Sequence, residues 1–167
     1  MRNKQKGFSL IELLIVVAII LIIAAIAIPN LIRSKMAANE ASAVASIRTI
    51  NTAEVVYSST YSIPEVFAKV LADLGDAGGT CADPTKPPTA TNACLIDQVL
   101  ATATAQTAPK SGYYFLYTAP TAAAPVYATD ARPSSANSTG VRGFYSDQSL
   151  VIRAENPAPA LATSKPL

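Results

Sequence analysis

The sequence predicts an α+β fold: a long N-terminal α-helix, apolar in its first half and amphipathic in its second, packed on a small antiparallel β-sheet. Three observations lead there. Residues 8–28 form an apolar run whose only polar side chains are Ser9 and Glu12. Ile47, Ile50, Ala53 or Glu54, and Tyr57 then recur every three to four residues, the period of one helix face. From Gly112 onward, short aromatic and β-branched stretches alternate with turn residues, which is a strand pattern. At 167 residues with 50% apolar composition, the chain has room for one compact domain and an appendage.

The first helix begins as a membrane-length segment. About 21 residues, 8–28, give a helical length of ~30 Å, which matches a bilayer core. Arg2, Lys4 and Lys6 precede it and by the positive-inside rule stay cytoplasmic, placing the rest of the chain outside. A secretory signal cut after Ala25-Ile26-Ala27 fits less well, because the apolar run exceeds the usual ~7 to 15 residues of such signals. A plain single-pass anchor leaves Glu12 unexplained, since a carboxylate in hydrocarbon costs a few kcal/mol on insertion scales. Cleavage between Gly7 and Phe8 would create an α-amino group four residues before Glu12, a positive partner at the same depth. A helix N-terminus also favours an acid in its first turn.

Gly7-Phe8-Ser9-Leu10-Ile11-Glu12-Leu13, behind a short basic leader and ahead of a long apolar helix, resembles the prepilin signal of type IV pilins and type II secretion pseudopilins. The likeness covers residues 1–35. It implies cleavage after Gly7 by a membrane-embedded prepilin peptidase and N-methylation of Phe8. It further implies that Glu12 acts in assembly by pairing with the N-terminal amine of a neighbouring subunit. Pro29 falls where such pilins carry a helix-perturbing proline, and proline chemistry independently predicts a kink or local melting there.

Past Pro29 the helix is expected to resume from Leu31 to about Tyr57, with Arg33, Lys35, Asn39, Glu40 and Arg48 between the apolar positions. The combined helix would run ~75 Å at 1.5 Å per residue. Ser58, Ser59, Thr60 and Pro64 end it, and Pro64 suits the first turn of a short helix through Leu74. Residues 75–94 are dense in Gly, Pro, Thr and Asp and read as an irregular loop. Cys81 and Cys94, the only cysteines, are expected to form a disulfide in an exported chain, the alternative being two unpaired thiols. Such a bridge would stabilise the fold by ~3 kcal/mol. A short helix is expected over residues 95–100.

Strands are expected at residues 112–118, 125–130, 142–147 and 150–153, the last two joined by a two-residue hairpin at Gln148-Ser149. One face of this meander should cover the amphipathic half of the helix, since neither buries its apolar side alone. Helix, variable loop, then sheet is also the order of the pilin fold. Residues 155–167, rich in Ala and Pro, are expected to be disordered or loosely laid on the surface. The expected organisation is a leader at 1–7, a transmembrane or filament-core half-helix at 8–30, a globular domain at 31–154 and a flexible tail at 155–167.

Composition argues against other classes. A net charge of +2, with basic residues clustered only at the start, gives no nucleic-acid footprint. There is no histidine, so the commonest general base and metal ligand are missing, and no phosphate- or dinucleotide-binding glycine motif occurs. No enzyme activity, cofactor or metal is therefore expected. Asp73, Asp76, Asp83, Asp130 and Asp147 could in principle bind calcium, but their spacing lacks an EF-hand pattern. Asn137-Ser138-Thr139 fits a glycosylation sequon, and residues 101–108 are Thr- and Ala-rich. The seven tyrosines read as sheet and core residues rather than an electron path.

The resemblance therefore implies a structural subunit of a type IV pilus, with a type II secretion pseudopilin forming a short periplasmic piston as the alternative. The implied partners are other copies of the chain in a helical homopolymer, the prepilin peptidase, the inner-membrane assembly machinery and, before assembly, the lipid bilayer. The implied location is the bacterial inner membrane and then a surface filament, or the periplasm for a pseudopilin. A membrane-anchored enzyme or binding module is the reading from another class.

Overall fold

The computed structural model describes residues 8–61, 67–76, 81–83, 85–121 and 124–167. Its contacts divide the chain into two compact units, Met1–Lys35 and Met36–Leu167, and helix α1, Leu10–Tyr61, contributes to both. The leader, Gly7 and the expected helix start at Pro64 lie outside the described residues.

In the first unit α1 is mostly apolar and solvent-facing, and of residues 8–35 only Ala24 is not exposed. Within the second unit α1 becomes a spine whose inner face buries Ala43, Ile47, Ile50, Ala53 and Tyr57. The helix persists to Tyr61, four residues beyond the expected end. The reason is local: Ser58 Oγ donates to Val55 O at 2.9 Å, and Ser59 Oγ and Thr60 Oγ1 donate to Val56 O at 2.7 and 2.9 Å. Back-bonding hydroxyls remain compatible with helical backbone, so they do not end it.

Between helix and sheet lie a single 3-10 turn, Leu71–Leu74, and a short helix α2, Gln98–Thr102. Within the described residues the 3-10 turn replaces the helix expected to end at Leu74. Helix α2 begins three residues later than expected because Asp97 caps it, its side chain accepting from the Leu100 N–H at 2.9 Å. Leu71, Leu74 and Leu100 are fully buried in the core that α1 shares with Tyr113, Phe115 and Phe144. Each such side chain removed from water contributes about 1.5–3 kcal/mol.

The sheet has five antiparallel strands in sequence order: β1 Tyr113–Thr118, β2 Ala128–Pro133, β3 Gly143–Asp147, β4 Arg153–Glu155 and β5 Lys165–Pro166. The meander is as expected, with differences at its edges. Gly112 (φ 74°) follows Ser111 in a turn and so precedes β1 instead of opening it. Strand β2 lies about three residues later than expected, where Ala128 to Pro133 pair in register with Thr118 to Tyr113. No two-residue hairpin joins β3 to β4. Residues 148–152 form a longer connection, in which the Leu150 N–H closes a turn on Asp147 O and Leu150 itself has φ 62°.

The C-terminal tail also corrects the expectation. Lys165 pairs with Ala154 to add β5, Leu167 N donates to Ile152 O, and Ala160 is fully buried. A Cβ on Gly143 would lie 2.9 Å from both Ala158 Cβ and Ala160 N, so the bare glycine is what lets the tail close over β3.

Four polar side chains fix α1 against the sheet and its loops within the second unit. Asn39 Nδ2 donates to Thr139 O at 2.8 Å. Glu40 accepts from the Val141 N–H (3.0 Å), the Arg142 N–H (3.2 Å) and Arg142 Nε (2.8 Å). Asn51 Nδ2 donates to Ser146 Oγ at 2.8 Å, and Tyr127 Oη donates to Asn51 Oδ1 at 3.1 Å. Glu54 meets Tyr117 Oη at 2.6 Å and the Ala68 N–H at 3.2 Å. Apolar packing alone tolerates sliding; directional bonds at these positions set one register.

Candidate assembly segment

The start of α1 is shaped by a four-residue pattern. Ser9 precedes the first helical residue and Glu12 follows three later, the spacing at which an acid reaches back to the helix entrance. The Ser9 backbone N–H donates to Glu12 Oε2 at 3.0 Å, and Leu13 N–H donates to Ser9 O at 3.2 Å. The carboxylate thus satisfies one of the donors a helix start leaves open. A carboxylate has about four lone-pair sites, so this single bond leaves most of its acceptor capacity unused.

Around that acid the surface is apolar. Leu10 is 75% exposed, Phe8 81%, and Leu21, Ile22 and Ile23 each exceed 60%. One 18-residue window of α1 has a mean hydropathy of 3.3 with none of it buried, long and apolar enough to cross a membrane. Large side chains at these positions each leave about 1.5–3 kcal/mol of transfer free energy unrealised in water. The segment therefore needs an apolar environment from outside the chain.

Pro29 lies inside α1 and not at a break, so the expected local melting does not occur in the single chain. Pro29 lacks an N–H, which removes one ladder bond, and the ladder on either side carries the helix through. Phe8 and Glu12 stand at the entrance to the helix, and Pro29 lies 17 residues beyond Glu12.

Cys81 and Cys94 form the expected disulfide. The acids weighed as metal ligands are dispersed: Asp130 pairs with Arg132 Nε at 2.7 Å, Asp147 accepts from the Ser149 N–H, Asp83 from Thr85, and Asp73 from the Val70 N–H. Among the described residues no three His, Cys, Asp or Glu side chains gather at one point. Asn137 of the sequon is exposed on a turn at φ 61°.

Sequence reasoning missed Glu40 and Asn39 as fixing residues, having placed them among the solvent-facing polar positions. Burial opposes ionisation of Glu40, but the Val141 N–H, the Arg142 guanidinium and the Arg142 N–H together hold its carboxyl below the ordinary value. The spacing of Glu40 at i, i+3 and i+7 from Ala43 and Ile47 was the one available sign that it shares the buried face.

Residues 2–28 match the family model described as the prokaryotic N-terminal methylation motif. The type IV major pilin protein PilA of Myxococcus xanthus is 45% identical over 74 residues, 44% of this chain and 32% of that protein. The type IV wide pilus major component PilA4 of Thermus thermophilus is 62% identical over 40 residues, 24% of this chain and 30% of that protein. The type II secretion system core protein G of Escherichia coli is 32% identical over 90 residues, 54% of this chain and 58% of that protein. The chain thus spans about a third of the length of the two pilins and just over half of the secretion protein. No solved structure matches it. Residues 2–28 thus carry the N-terminal methylation motif, and over part of its length the chain is similar to two type IV pilins and to a type II secretion system protein.

Proposed function

We propose that the chain is a structural subunit of a type IV pilus, inserted in the inner membrane as a prepilin, cleaved after Gly7, methylated on Phe8 and polymerised through residues 8–30. The observation that carries this reading is the exposed apolar half of α1 with Glu12 as its one acid. The same surface serves as membrane anchor before assembly and as filament core afterwards, since both environments are apolar. Polymerisation exchanges lipid contacts for contacts with other subunits, and head-to-tail addition without closure gives an open fibre. Glu12 then guides addition: the positive terminus created at Phe8 of one subunit occupies the spare acceptor sites of Glu12 on another. Pro29 is where the helix gives way most easily if packing requires a bend. Adhesion or motility would fall to loop and sheet surfaces, and no catalytic step is assigned to the chain.

The higher identities are to the two pilins, which supports a surface fibre. A pseudopilin in a periplasmic secretion piston is the second reading, favoured by the longer match, 90 residues, to core protein G. Electron microscopy of sheared surface material separates them. Long filaments containing this chain, lost in Glu12→Ala, support the pilin; bare cells with impaired protein secretion support the pseudopilin. Normal filaments in Glu12→Ala would contradict the pairing role.

A further inference from the structure

Glu54 is the one acid of α1 that is fully buried, and its surroundings pose a problem of proton counting. Tyr117 Oη lies 2.6 Å from Glu54 Oε1 and 2.9 Å from Ala68 O, while the Ala68 N–H donates to Glu54 Oε2 at 3.2 Å. A phenol has one proton to donate. If Glu54 is ionised, that hydroxyl faces two acceptors and one of the two short contacts has no hydrogen in it. If Glu54 is a neutral acid, every contact is filled: Glu54 Oε1–H donates to Tyr117 Oη, Tyr117 Oη–H donates to Ala68 O, and Ala68 N–H returns to Glu54 Oε2. Tyr117 itself cannot relieve the conflict by ionising, because burial and then the neighbouring Glu54 push its phenol far above its ordinary value.

We propose that Glu54 is a proton-operated latch, in which its neutral form closes a three-bond ring with Tyr117 and Ala68 that fastens Ala68 to the helix and to β1, and its ionised form breaks that ring at the bond from Tyr117 to Ala68 O. The groups facing it favour the neutral form. On α1, its polar neighbour Asn51 is already engaged by Ser146 and Tyr127. From the 3-10 turn, the Asp73 charge opposes ionisation. On β1 stands Tyr117, and the Tyr127 ring stacks on it with centroids 6.1 Å apart. Asp147 of β3 acts on the Tyr127 phenol, as Glu54 does more strongly. Lys69, next to Ala68 in the chain, is exposed. Burial is the largest influence on Glu54 and, with Asp73, outweighs the bonds from Tyr117 and Ala68, so its carboxyl is pushed up to about 7.

The latch borders an apolar cavity of about 530 Å³ lined by Val70, Leu71, Phe115 and Tyr117, with Ala101 and Thr104 opposite. Ionisation turns the Tyr117 hydroxyl wholly to the carboxylate and so removes its bond to Ala68 O, one of those that hold this wall of the cavity. The consequence is a globular unit that is tightest in mildly acidic surroundings and loosens locally as pH rises past neutral. The sign follows from linkage: the folded carboxyl lies above its unfolded value near 4.5, so the protonated form adds stability below that value. The added stability is lost as pH rises to about 7, with the folding equilibrium falling about tenfold per pH unit across the window.

The test is carbon NMR titration of the Glu54 carboxyl and of the Ala68 carbonyl in the full chain in detergent micelles. The proposal expects a Glu54 midpoint near 7 and a step in the Ala68 carbonyl shift through the same midpoint, as the bond from Tyr117 is lost. In Glu54→Gln, whose amide donates to Tyr117 at every pH, the Ala68 step should vanish. A Glu54 midpoint between 4 and 5 would overturn the proposal without any variant, as would an Ala68 carbonyl with no step near neutral pH in the wild type. Tyr117→Phe, which deletes the ring's middle member, should abolish the Ala68 step; a step that persists there would also overturn it.

Discussion

Glu40→Ala removes the carboxylate that gathers residues 141 and 142 onto α1. In the wild type its Oε1 accepts from the Val141 and Arg142 N–H groups and its Oε2 from Arg142 Nε. The Arg142 side chain is 44% exposed, so the ion pair itself adds no more than about 1 kcal/mol. Two backbone donors losing a charged acceptor cost about 1–1.5 kcal/mol each, for a total near 3 kcal/mol. Thermal unfolding of the full chain in detergent, followed by near-ultraviolet dichroism of the tyrosines, should show a melting temperature about 6–12 °C lower at pH 7. The loss is pH-dependent. The folded Glu40 carboxyl lies below its ordinary value of 4.5, so its contribution is present above that value and fades as acidification carries the pH through the folded value. Wild type and variant should therefore converge toward pH 3. A difference at pH 7 below about 2 °C, or one of equal size at pH 7 and pH 3, would refute the clamp.

Further outcomes follow from the same geometry. Cys81→Ser with Cys94→Ser should lower stability by ~3 kcal/mol, read as a drop of several degrees in melting temperature that reducing agent reproduces in the wild type. An unchanged wild-type melt in reductant would contradict a structural role for the bridge. Gly143→Val should push the tail off β3, because even a Cβ would sit 2.9 Å from Ala158 Cβ and Ala160 N, and limited proteolysis should then cut residues 156–164 faster than in wild type. Glu12→Ala gives up one capping bond, worth about 1 kcal/mol, while removing a carboxylate from an apolar surface. Membrane fractionation should accordingly find as much inserted precursor as in wild type, with the defect confined to assembly.

The helix start was legible because its signals are local: a leader, an acid three residues after Ser9 and an unbroken apolar run all lie within thirty residues. The middle of the strand meander was legible for the same reason, β1 and β3 announcing themselves by Tyr113 to Tyr117 and by Phe144-Tyr145. What stayed hidden depends on distant partners. Glu40 looked like a surface acid because the groups that satisfy it lie 101 and 102 residues away. Glu54 was counted as an optional member of an apolar stripe, whereas its meaning comes from a phenol 63 residues on. The tail lacks periodicity and so read as loose, yet a missing Cβ at Gly143 and the pairing of Lys165 with Ala154 hold it down. Helix α1 outran its expected end because hydroxyl-rich sequence weakens helices on average, while here Ser58, Ser59 and Thr60 bond back into the turn they extend.

The proposed role depends on a new N-terminus being made beside Glu12. Mass spectrometry of the N-terminal peptide, taken from sheared surface filaments or from membranes of the native cells, reads this directly. The expected result is a mature chain that begins at Phe8 and carries one added methyl group on its amine. A mature chain that begins at Met1, or at Ile28 after a signal cut, would contradict it.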